Sequence, residues 1–140
     1  MHASKEMDSV IIGSGINRND ERSMAYALLI VEPVGQRQTR TEAEGRALYD
    51  RMVRFSEDLK SRGLLTMTQS LRTDTLGARV RVQGNQSTVV DGPFAEAKEM
   101  VGGFFILTCE TRAQAIALAE ECPAARWATV EVRELGPCFT

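Results

Sequence analysis

The spacing of apolar positions changes several times along this chain, and each change marks an element. Residues 26–31 are a short continuous apolar run, the pattern of a strand covered on at least one face. Pro33 and Gly35 stop it. Thr41-Glu42-Ala43-Glu44 then matches a capping box, with Thr41 as N-cap and Glu44 three residues on. Leu48, Met52, Phe55 and Leu59 follow at i, i+4, i+7 and i+11, one face of a helix that Gly63 closes. Arg51, Arg54, Glu57, Asp58 and Lys60 fall between them and predict a solvated opposite face.

Residues 64–71 predict a second strand, and Arg79-Val80-Arg81-Val82 alternates with period two as a third. Gly84-Asn85 supplies a hairpin turn that returns through residues 87–90. Residues 104–108 read as a further strand. Thr111-Arg112-Ala113-Gln114 is a second capping-box match, and Ala115, Leu118, Ala119 and Cys122 repeat at helical spacing until Pro123. Residues 128–133 alternate Thr129, Glu131 and Arg133 against Val130 and Val132, a last strand.

The predicted order is strand, helix, strand, hairpin, strand, helix, strand. It specifies an α+β protein with a ferredoxin-like βαββαβ core and an inserted β-hairpin. Two helices would cover one face of an antiparallel sheet and leave the other bare. A homodimer packing sheet against sheet, a barrel-like α/β assembly, is the expected cover.

Composition narrows the function. A chain of 140 residues is one domain with room for its own core. Its net charge of -2 and lack of a basic run argue against a nucleic-acid partner. No apolar stretch approaches the ~20 residues of a membrane helix, so no membrane partner is expected. Cys109, Cys122 and Cys138 contain no C-x-x-C pair and read as incidental thiols of a cytoplasmic protein. His2 is the only histidine, which speaks against a His-based metal site or a catalytic triad; no metal and no cofactor are expected.

Residues 1–23 are polar apart from Val10-Ile11-Ile12 and predict a flexible N-terminal extension without a signal-peptide core. Gly13-Ser14-Gly15 begins like a dinucleotide loop, but Arg18 stands at the third glycine position. The folded domain is placed at 24–136, with a short tail at 137–140.

Chemistry concentrates in Asp91-Gly92-Pro93-Phe94-Ala95-Glu96-Ala97-Lys98-Glu99. Asp91 ends a strand, where it reads either as an Asx-type turn or cap, or as a proton acceptor or ligand anchor. Pro93 fixes its own φ and pushes Gly92 away from the helical region, giving a sharp turn. Glu96, Lys98 and Glu99 read as first-turn charges of a helix. Arg79 and Arg81 share one side of their strand, a solvated face or a clamp for a carboxylate or phosphate. Gly102-Gly103 permits a bulge or close backbone approach. Trp127 and Tyr26 read as packing residues that could also line a pocket.

This nonapeptide, with Arg79-Val80-Arg81, Gly84, Gly103-Phe104-Phe105, Cys122-Pro123-Ala124-Ala125-Arg126 and Val130-Glu131-Val132-Arg133 in order around it, resembles the DGPFAETKE branch of the YciI-like (YCII-related) superfamily. Ala97 replaces the usual Thr. The resemblance spans about residues 24–135. It implies a dimeric α+β fold and a pocket near the motif's Asp. Some relatives pair that Asp with a His as an acid/base couple, and one is a dehydrochlorinase of hydroxylated aromatics; this chain has no such His. Members of the branch are often associated with extracytoplasmic-function sigma factors.

Two functional readings follow. In one, a cleft binds a small organic molecule and acts on it without a cofactor: Asp91 is the catalytic base or anchor, and Arg79, Arg81, Pro93, Phe94 and Lys98 contact the ligand. In the other, the protein is a non-catalytic dimeric interaction module, with a sigma factor as the candidate partner.

Overall fold

The computed structural model describes residues 24–139. The expected N-terminal extension, with Val10-Ile11-Ile12 and Gly13-Ser14-Gly15, lies outside the described residues.

Among the described residues, six strands and two helices follow in the expected order: β1 (Met24–Pro33), α1 (Glu42–Ser61), β2 (Leu65–Ser70), β3 (Ala78–Gln83), β4 (Gln86–Asp91), β5 (Glu99–Cys109), α2 (Arg112–Glu121) and β6 (Thr129–Glu134). Four strands form one antiparallel sheet ordered β2-β5-β1-β6, while β3 and β4 form a separate two-stranded ribbon. Without that ribbon the order is that of a ferredoxin-like βαββαβ sheet. The fold is α+β.

Alternation along β1 decides which face is which. Tyr26, Leu28 and Ile30 are buried and join one core with Phe105 and Leu107 of β5, Phe55 and Leu59 of α1, and Ala115 and Leu118 of α2. Both helices therefore pack on the same face. The alternate positions Leu29 and Val31, paired with Phe104 and Val101, belong to the opposite face, which neither α1 nor α2 covers and over which no other helix lies among the described residues.

Local chemistry fixes the ends of α1. The Thr41 hydroxyl accepts from the Glu44 amide at 3.1 Å, and the Glu44 carboxylate accepts from the Thr41 amide at 2.9 Å. Gly63 closes the helix at φ +74°, where a β-carbon would be strained. At α2 only half of the expected box forms. Thr111 caps the Gln114 amide, but the Gln114 side chain accepts from the Glu110 amide instead of from the cap residue.

β5 is longer than the pattern 104–108 suggested. It begins at Glu99, so the charges expected in a helix's first turn do not lie in a helix. The Ala97 amide donates to the Phe94 carbonyl in a tight turn, and the Lys98 carbonyl accepts from the Val34 amide. Pairing of Glu99 with Pro33 then sets the chain into the sheet. Backbone pairing along β1 overrides the local charge pattern here.

Candidate functional site

The apolar face of α1 is only half used by the core. Phe55 and Leu59, toward its C-terminus, are buried, but Leu48 and Met52 are not. The sheet residues lining that N-terminal half include four small ones, Gly102, Gly103, Thr68 and Ser70. Helix and sheet cannot close there. The result is a cleft of about 620 Å³, walled by Tyr49 and Met52 on one side, Phe105 and Ile30 on the other, with Trp127 beside them.

One acid lies in its wall. Glu32 is 7% exposed, the only buried charged residue among the described residues. Alternation predicts its direction, since it stands two residues beyond Ile30 on the helix-facing side of β1. A carboxylate buried alone would cost several kcal/mol. Arg37 offsets this with a two-pronged bond, Nε to Oε2 at 2.8 Å and Nη2 to Oε1 at 3.0 Å. The same guanidinium donates to the Leu71 carbonyl at 2.9 Å and the Gly102 carbonyl at 3.3 Å. A single side chain thus ties together the ends of β1 and β2 and the start of β5.

Gly102 is required by this arrangement. A β-carbon there would collide with the Glu32 carboxylate and Arg37. The register of β1 on β5 shifts at this point, between Ile30 and Val31, which accommodates Gly102 as a bulge. The bulge expected from Gly102-Gly103 is present, and its reason is the acid beneath it.

The rim is basic. Arg37, Arg40, Arg46, Glu32 and Glu42 are the charged residues lining the cleft and leave one excess positive charge. Arg46 is tied to Glu42 at 2.9 Å. Arg40 has no side-chain hydrogen bond or ion pair among the described residues. The lining also holds the hydroxyls of Ser56, Ser70 and Thr68, the last donating to the Phe104 carbonyl.

Thiol chemistry lies elsewhere. Cys109 and Cys122 are buried in the core, and Cys138 is exposed. Burial pushes the Cys122 thiol up from its ordinary value of 9.0 to about 11, partly offset by backbone bonds from Ala124 and Ala125. Among the described residues no group of three or more His, Cys, Asp or Glu side chains is arranged to hold a metal ion. No helix among them is long and apolar enough to cross a membrane.

The residues singled out in the sequence gather at a different place. Asp91 ends β4 opposite Ala78; its side chain is exposed and has no partner among the described residues. The Gly92 amide donates to the Gly77 carbonyl, and Gly92 lies so close to the Asp74 carbonyl that a β-carbon would collide with it. Phe94 lies under Gly77, and the Arg79 guanidinium sits 4.0 Å above its ring. Pro93, joined to Gly92 by a cis peptide bond, and Lys98 are exposed, as is Arg81 further along β3. The structure therefore brings Arg79 and Phe94 together with the Gly92 turn. None of Asp91, Arg79, Arg81, Pro93, Phe94 or Lys98 lines the cleft.

The family model of the YCII-related domain matches residues 24–138. The chain belongs to the YCII-related family. This YCII-related chain is also similar to an uncharacterized protein, R00369, of Rhizobium meliloti (strain 1021), with 34% identity over 76 residues, 53% of this chain. The match spans 61% of that relative's length.

Proposed function

We propose that this protein binds a small amphipathic organic molecule in the cleft between α1 and the sheet. The observation that carries the reading is the buried Glu32 carboxylate, held by Arg37 in the wall of a largely apolar cavity. A ligand with an aromatic or aliphatic body would lie against Met52, Phe105 and Trp127. A donor on it would reach Glu32, and an anionic group would face Arg40, the rim cation without a partner among the described residues. Glu32 takes the role of polar anchor or proton acceptor that the sequence suggested for Asp91. Any reaction would be cofactor-independent general acid/base chemistry on the bound molecule. The three free cysteines support a reducing, cytoplasmic setting.

Trp127, the chain's single tryptophan, is a built-in reporter. Its fluorescence should respond saturably to members of a panel of aromatic and aliphatic carboxylates. Gly45 lines the cleft on α1, and a β-carbon at that position would meet nothing within 4 Å. Gly45→Leu should therefore fill the space without disturbing the fold, and abolish the response. A panel that leaves the fluorescence unchanged, or a response that survives Gly45→Leu, contradicts the reading.

A second reading has its own observation. The sheet face bearing Leu29, Val31, Val101, Phe104 and Ile106 has no helix over it among the described residues, and Val101 is 43% exposed. It supports a homodimer, sheet against sheet, serving as an interaction module. A sigma factor as a further partner rests on the family resemblance alone. Purification of the tagged chain from its native cells without any stoichiometric protein partner would count against that extension.

A further inference from the structure

The β3–β4 ribbon is anomalous as part of a monomer. Every residue of both strands is exposed, and neither strand packs extensively on another helix or strand. Isolated two-stranded hairpins are marginal in water. Register assigns its two faces. Val80 pairs with Val89, Val82 with Ser87 and Ala78 with Asp91, so Val80, Val82 and Val89 share one face with Ala78 and Ser87, and Asp91 stands on it at the ribbon's base. Arg79, Arg81, Thr88 and Val90 share the other. The valines are 61%, 64% and 60% exposed, in that order. Scattered apolar residues on a surface are ordinary, but three valines on one face of a ribbon whose edges pair with no other strand among the described residues invite association.

The ribbon is nonetheless fixed where it leaves the body. Gly92 closes against the Asp74 carbonyl, its amide bonds Gly77, and Phe94 is held between Gly77 and the Arg79 guanidinium. The nonapeptide is the clamp at the base of an arm. A clamp of this kind holds the arm out with its valine face ready for a partner surface.

We infer that the arm crosses to a second copy of this chain and buries its valine face there. This rests on the homodimer reading above and extends it. Area decides between a sheet-only dimer and an arm-assisted one. Four strands about 4.8 Å apart, two of them some 20 Å long and two some 35 Å, present roughly 500 Å² of bare sheet. That falls short of the ~800 Å² each partner buries in an interface of standard size. One face of the ribbon adds roughly 200 Å² more, before the relief of its side chains is counted. The same chain carries both apolar surfaces, and a two-fold interface lets each copy offer both.

Sedimentation of the full chain tests this. The wild type is expected to run as a dimer at about 20 µM, above the weak end of ordinary interfaces. Val80→Lys with Val89→Asp should weaken the dimer at least ~100-fold, because two charges would enter an apolar contact. Thr88→Asp, on the opposite face of the same ribbon, should leave it a dimer. Far-UV circular dichroism of the double variant should match the wild type, since both positions are exposed and the opposite charges face each other across the ribbon. A monomeric wild type overturns both the dimer and the arm. A dimeric wild type whose dissociation constant is unmoved by the valine substitutions overturns the arm alone.

Discussion

Glu32, Arg37 and Gly102 form a unit in which no member is replaceable alone. Adding one methyl at Gly102 forces the Glu32 carboxylate and the Arg37 guanidinium apart. Gly102→Ala should cost about 1–3 kcal/mol in urea unfolding, the range for overpacking. The cost should shrink when Glu32 is already Ala, because the colliding carboxylate is gone; a double-mutant cycle reads the difference. The core carries a separate signature at high pH. Burial raises Cys122 from 9.0 to about 11, and burial, then the Glu134 carboxylate, raises Tyr26 as well. Between those pH values the unfolded chain has lost the Cys122 proton and the folded chain keeps it. The unfolded state then binds fewer protons, so stability is full below pH 9 and falls as pH rises toward 11. Urea midpoints measured across that window should decline, and less steeply in Cys122→Ala. Alkylation at pH 8 should label Cys138 at once and the other two thiols only on unfolding.

At the scale of elements, helices were the most legible part of the sequence because their signals are local. Thr41, Glu44 and Gly63 do in the structure what their spacing predicts. The apolar stripe of α1 was also legible, but its division was not. Whether Leu48 and Met52 meet a large or a small residue depends on strands 20 to 50 residues away, and there the chain supplies Thr68, Ser70 and the Gly102-Gly103 pair. Glu32 was within reach of sequence reasoning, since alternation from Leu28 and Ile30 turns it inward. The continuous apolar run before it concealed the period. The nonapeptide drew attention for its density of charge, but Gly92 and Phe94 do its structural work through contacts with residues 74–79 that no local pattern reveals. Phe94→Ala should therefore loosen the arm while leaving the core intact. Hydrogen exchange should speed up across β3 and β4 and stay unchanged in β1 and β5.

At the scale of the molecule, the ferredoxin-like sheet divides the protein into two working surfaces. One face carries the helices and the cleft, and the other has no helix over it among the described residues. The topology followed from element order, because an inserted hairpin between β2 and β5 leaves the four-strand pairing untouched. The cleft did not follow, since a cleft is a property of packing between distant segments. The functional proposal turns on ligand entering the α1 cleft and not the turn at Asp91. Amide chemical-shift mapping with a carboxylate that quenches Trp127 separates the two. Shifts should concentrate on Arg40, Gly45, Met52, Gly102, Gly103 and the Trp127 indole; shifts concentrated instead on Arg81, Asp91 and Phe94, with the cleft silent, would contradict the proposal.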